Sequence, residues 1–441
     1  MINKAILLVL ITIFSFFPVY SQETFNFPVK YFKLNNGLKV VLLEDRTHPV
    51  FTLAIFFHCG SRDEKIGKTG IAQILQNLYF QGSENFKPME HLLLINKFGG
   101  ELNAFTSEDK MVFYETLPSN LLKMALTLEA DRMGSLRIDD GLLAIQKEIL
   151  KRERQLKLSD QPYARSFFRI DELSFINFAY SHPIIGYKED LELITFKDVY
   201  DFYTNYFTPS NACLVLVGNF SSEEATSLIK ENFENINSGS SGVPPNLKEP
   251  PGRGELIETI YDSNARFPAF HIAYPFPSRD SPDFYPMEII DYLLLKGNPS
   301  ILKKKLLIER KMAYELGGGV EEREGMSLFK IFVLCYPGYP LNVTQSQIFQ
   351  EIENLKNNLV SHKEIVMAKN QFKIEYLIDL RSTLGRAMKL GEFTVYFDNP
   401  YLINEELSRY MNVTPQDISR VAKKYLDKRN RIILNVIPEK K

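Results

Sequence analysis

The chain is 441 residues long and 45% hydrophobic, too long for one ordinary core and apolar enough to bury two. Its formal net charge of −2, with no basic run of six or more residues, leaves no electrostatic footprint for nucleic acid, and that class of partner is excluded. Three cysteines, Cys59, Cys213 and Cys335, each sit beside strand-like sequence; an odd number so placed speaks for buried thiols, or at most one long-range bridge, rather than a disulfide framework.

In chain order, the first segment is MINKAILLVLITIFSFFPVYSQ. Lys4, the apolar run Ala5 to Phe17, and small or polar Val19 and Ser21 ahead of Gln22 predict a secretory signal peptide over residues 1–21. The run is short for a membrane span, Pro18 ends it, and no Cys follows to take a lipid. No later stretch is long and apolar enough to cross a bilayer, so the mature chain is expected to be soluble and secreted or periplasmic. KYFKLNNGLKVVLLED then places an Asn-Gly turn between two strand-like runs, and PVFTLAIFFHCGS continues as a third strand. In GIAQILQNLYFQGS, from Gly70, the residues Ile71, Ile74, Leu75 and Leu78 recur at helical spacing, which gathers Gln73, Gln76 and Asn77 on the adjacent face. FGGELNAFTSEDKMVFYETLP, Phe98 to Pro118, reads as strand, turn, strand. From Leu121 to Leu158 the apolar spacing is helical under a charged surface. Thr195 with Asp198 predicts a helix N-cap, and His182 reads as a packing residue.

An internal repeat follows. Thr195, Asp198, Val199, Tyr206 and Asn211 correspond at one constant offset to Thr414, Asp417, Ile418, Tyr425 and Asn430, and each helix leads into an apolar strand. The chain therefore reads as two copies of one helix-on-sheet unit, residues 22–237 and 257–441. The Gly-, Ser- and Pro-rich segment 238–256 joins them.

GKTGIA before the amide-bearing helix, LYFQGS after it and the Phe98–Pro118 segment together resemble the pitrilysin/insulinase family of zinc peptidases, in particular its two-domain, processing-peptidase-like members. The resemblance covers nearly the whole mature chain. It implies an α+β fold of two homologous domains, each a mainly antiparallel sheet with helices on one face. In the family's H-x-x-E-H motif two His hold zinc and the Glu takes a proton from the bound water. The corresponding positions here are Gln73, Gln76 and Asn77. At the family's spacing the third ligand falls on Glu153, which is retained, whereas a further family Glu two turns earlier is Gln146.

An amide keeps the size of the residue it replaces but is a neutral, weak oxygen donor and no base near neutral pH. The resemblance thus implies no bound zinc, no other cofactor, no intrinsic zinc-peptidase activity, and a helix that serves packing; an altered metal site is the remaining alternative. Asn103, Ala104, Phe105 and Thr106 match the family's edge strand, on which an extended peptide adds as a further strand; an ordinary sheet edge is the plainer reading. Of the Arg and Tyr that the family's second domain offers to the substrate carbonyl, Tyr314 matches, as a core or interface aromatic if not a binding residue, while the Arg position is Leu307. The basic turn Lys303 to Lys305 reads as a solvated face. Because family assemblies pair a zinc-bearing half with one that lacks zinc, the resemblance implies a non-catalytic subunit in a heterodimer with an active zinc-peptidase paralogue. The rival reading is a stand-alone peptide-binding or structural module.

Overall fold

In the computed structural model the described residues are 25–239, 242, 244–250 and 254–439, so the signal-peptide segment lies outside them. The Asn-Gly turn closes the first hairpin: β1 (Lys30–Lys33) pairs antiparallel with β2 (Lys39–Glu44), and Gly37 takes a φ of +92° that a side chain would strain. Then come β3 (Val50–Phe57), α1 (Ile71–Leu78), α2 (Glu90–Lys97), β4 (Glu101–Thr106), β5 (Met111–Pro118), α3 (Leu122–Gly134), α4 (Asp140–Arg154) and α5 (Ala164–Ser174). The first half ends with α6 (Lys188–Leu193), α7 (Phe196–Tyr206), β6 (Ala212–Gly218) and α8 (Ser222–Phe233). Its six strands lie in the order β1-β2-β6-β3-β5-β4, antiparallel except for β2 on β6.

The second half repeats this plan with β7 (Leu256–Asp262), β8 (Ala269–Phe276), α9 (Phe284–Asp291), β9 (Ala313–Glu321) and β10 (Ser327–Cys335). It continues through α10 (Leu341–Asn357), α11 (His362–Asp379), α12 (Thr383–Phe397), α13 (Glu406–Met411), α14 (Pro415–Tyr425) and β11 (Ile432–Pro438). Its sheet order is β7-β11-β8-β10-β9, again with one parallel pair, β7 on β11. The repeated caps are real: Thr195 with Asp198 and Thr414 with Asp417 both form capping boxes, at α7 and α14. Cys59, Cys213 and Cys335 are buried and free. Lys303 to Lys305 open a helical stretch, where Lys305 pairs with Glu309 at 3.0 Å. Among the described residues no helix is long and apolar enough to cross a membrane.

Each sheet carries its own helices on one face. Its other face receives a helix from the opposite half. Helix α12, from the second half, packs on β3 and β6, where Ala54, Phe56, Val215 and Val217 join the second half's core; α5, from the first half, lies on β8 and β11 with Ile170 against Ala273, Ile432 and Leu434. The exchange makes the core continuous across the halves. Linker residues are strapped down beside α5, with the Glu249 carboxylate accepting the main-chain N–H groups of Ile176 and Asn177.

The β4–β5 turn is clasped by the second half. Arg323 donates to Glu108 at 2.9 Å, the Glu324 N–H to Asp109 at 2.9 Å, and Lys110 to Glu392 at 2.5 Å. The end of the edge strand is therefore held by both halves of the chain.

A candidate peptide site at a degenerate metal motif

Helix α1 is set by what surrounds its first turn. Gly70, its N-cap, has a φ of +95°, and a Cβ there would lie 2.6 Å from Leu191 Cδ2, so neither backbone nor space admits a side chain. With no side-chain cap available, the orphan N–H groups go to Glu64, whose carboxylate accepts from Gly70 at 2.9 Å and Ala72 at 2.8 Å. Glu64 in turn faces His182 Nε2 at 3.2 Å, while His182 Nδ1 lies 2.7 Å from the Phe178 carbonyl. Burial works against a charged imidazole here, but the Glu64 hydrogen bond and charge outweigh it and raise the His182 pKa. His182 is thus the packing residue expected, with the added task of steadying the Glu64 cap. Thr69, just before α1, donates to Asp190 at 2.7 Å and ties the helix to the segment around α6.

So oriented, α1 buries Ile71, Ile74, Leu75 and Leu78 and leaves Gln73, Gln76 and Asn77 half-buried on the adjacent face. Gln76 Oε1 accepts the Thr106 hydroxyl at 2.7 Å and so fastens the helix to the edge strand β4. The Gln73 and Asn77 side chains have no hydrogen-bond partner among the described residues. Helix α4 packs against α1; on it Gln146 is buried, and Glu153, half-buried, is held by Lys157 one turn on at 2.5 Å.

These groups do not fit zinc. The positions that would bind it offer two neutral amides and a single carboxylate, Glu153; the position that would supply the base is spent on Thr106.

On β4, Asn103 and Phe105 are exposed, Ala104 and Thr106 half-buried, and the Asn103 side chain accepts its neighbour's N–H at 2.8 Å. The strand is the outer edge of its sheet. Helix α1, which carries Gln73, Gln76 and Asn77, thus packs both on α4, which carries Gln146 and Glu153, and on the strand of 103–106. Tyr314 is not among their contacts: it opens the edge strand β9, exposed, with ring neighbours Phe267 at 5.1 Å and Tyr336 at 4.3 Å. Leu307 packs on the second half's core.

A buried polar cluster behind β4 escaped sequence reasoning. His91 Nε2 lies 2.8 Å from Glu115 Oε2. Beside this pair Arg132 grips both oxygens of Glu129 and lies over the Tyr79 ring at 4.3 Å. His91, Glu115 and Glu129 present ligand atoms within 4.8 Å of one another, but the cation they surround is Arg132. The available signal was Glu115 at an inward position of an apolar strand and Glu129 with Arg132 one helical turn apart. Burial pushes the Glu115 carboxyl up to about 8 and pulls the His91 imidazole down to about 3.

Stability linked to Glu115 is present below its ordinary value of 4.5 and is lost as pH rises toward about 8; that linked to His91 is present above 6.5 and is lost as pH falls toward about 3. The two oppose each other at intermediate pH, leaving a net decline on the alkaline side, above 6.5, of about 1 kcal/mol per pH unit. Urea unfolding across that range should show this slope, and Glu115→Gln should flatten it. An unchanged slope in the variant would place the proton elsewhere.

Two family models match the chain, "Insulinase (Peptidase family M16)" over residues 39–175 and "Peptidase M16 inactive domain" over residues 193–372. It is 27% identical over 397 residues to the zinc protease PqqE of Helicobacter pylori, covering 89% of each chain. The crystal structure of a protease from Helicobacter pylori superposes with a TM-score of 0.90 at 24% identity, over 94% of this chain and all of the other. The periplasmic protease PqqL of Escherichia coli gives 0.75 at 14% identity over 94% of this chain, but this chain spans only 48% of PqqL. With the repeated two-sheet fold beside these matches, the chain belongs to the insulinase, or pitrilysin, family of peptidases.

Proposed function

We propose that the protein is an exported, non-catalytic, metal-free peptide-binding subunit that acts beside a zinc-bearing relative. The observation that carries this is the fate of the motif: each chemical position is neutral, engaged or paired, while the cap of α1, its tie to β4 and the clasp on the β4–β5 turn are all intact. Strand addition on β4 needs only a free main-chain edge, not a metal. Pairing is supported by PqqL, in which a unit of this size makes up about half of the chain.

The partner supplies the chemistry in this reading, and the two chains together close a chamber that excludes water. Co-expression with a relative that carries an intact H-x-x-E-H, followed by size-exclusion chromatography and a peptide-cleavage assay, tests it. Co-elution with cleavage faster than the partner's own is expected. Separate elution with unchanged cleavage would remove the pairing and leave the stand-alone binding module.

A further inference from the structure

We infer that Gln73 and Asn77 form an amide clamp for the main chain of a bound, uncleaved peptide, at the place where an active relative would hold its metal. The inference rests on the reading that a peptide adds to β4. The two side chains stand four residues apart on one helix face, a spacing that puts their Cβ atoms roughly 6 Å apart. Both are half-buried and neither has a partner among the described residues. Half-buried amides without a protein partner meet water in the free protein, and both are therefore available to a peptide that displaces it. Their neighbour Gln76 is not free, since it holds Thr106, and this bond places the pair beside the end of the strand on which a peptide would lie.

A carboxamide carries one acceptor and an NH2 donor, the complement of a peptide unit's N–H and carbonyl. Two of them recognise main chain without regard to side chains. The same chemistry disfavours other occupants: a cation would find two neutral amide oxygens and at most one carboxylate, and an anion would find no positive charge from the pair. Nothing at the Gln76 position can take a proton from water, so the peptide bond held there is not cut.

The probe is a fluorescein-labelled peptide selected by the mature protein from a random-sequence array, and its affinity is read by anisotropy in EDTA. Three variants are compared: Gln73→Leu with Asn77→Leu, Gln73→Glu with Asn77→Asp, and Ala104→Pro, which blocks the strand edge at a residue whose N–H points away from β5. The acidic pair keeps the side-chain shapes and loses the donors, so it reports on the clamp even if the leucine pair fails to fold, as circular dichroism will show. Both amide variants are expected to weaken binding by about tenfold, the scale of one or two lost hydrogen bonds, and Ala104→Pro to weaken it as well. Loss with Ala104→Pro alone overturns the clamp while leaving strand addition in place. A wild-type protein that selects no peptide overturns both.

Discussion

Gly391→Val is expected to unfold the protein or leave it only marginally folded. Gly391 lies in the middle of α12, the helix that the second half lays across the first sheet, and a Cβ at this position would sit 2.1 Å from Phe56 Cε2 and 2.2 Å from Cζ. Phe56 has no exposed surface and is enclosed by strands on either side, so its ring has nowhere to move. The helix must then lift, which uncovers Ala54, Val215 and Val217 as well. Overpacking plus this lost burial costs more than about 3 kcal/mol, a large share of the roughly 5–15 kcal/mol that holds a typical domain. Gly391→Ala should be milder in urea unfolding, and Phe56→Leu should recover part of the loss in either background, because residues in contact are not additive. Full stability of Gly391→Val would mean that the halves are not interlocked through α12.

Glu64→Ala is the second large effect. The substitution removes the acceptor for two main-chain N–H groups at the start of α1 and strips the buried His182 of its counter-charge. Breaking a buried pair from one side typically costs about 3–5 kcal/mol, and unsatisfied N–H groups add to it. The loss should fall most heavily on α1, the helix of the degenerate motif, and hydrogen exchange should show its amides opening well before those of β3 and β6. Glu64→Gln, which still offers an oxygen to the N–H groups, should be less harmful. The His182 pKa should drop in both variants, since the Glu64 charge is lost while burial stays, with the Phe178 and Ser61 carbonyls still favouring the charged ring.

Much of this architecture was legible in the sequence because it is locally encoded. The Asn-Gly turn, the two Thr-Asp capping boxes at a constant offset and the apolar stripe of α1 are short-range signals, each tied to one physical preference. The edge position of Asn103 to Thr106 came through resemblance, and the sheet order agrees with it. What stayed hidden is long-range. An amphipathic pattern tells that α5 and α12 bury a face but not that each buries it on the other half's sheet. Glu64 looked like one more charge in a polar stretch, since its partners are a glycine six residues away and a histidine on a distant segment. The His91 cluster assembles from α2, β5 and α3, and no spacing rule joins those positions. Likewise the tie from Gln76 to Thr106 joins two features that the sequence shows only separately.

Whether the α1 region holds zinc is decided most directly by metal analysis of the mature protein after dialysis against a zinc-containing and then a metal-free buffer. The variant carrying Gln73→His, Gln76→Glu and Asn77→His serves as the positive control, because it restores two imidazoles four residues apart on α1 with Glu153 nearby on α4. Zinc well below one equivalent in the natural protein and a clear gain in the variant are expected; one tightly held zinc per natural chain would overturn the metal-free reading.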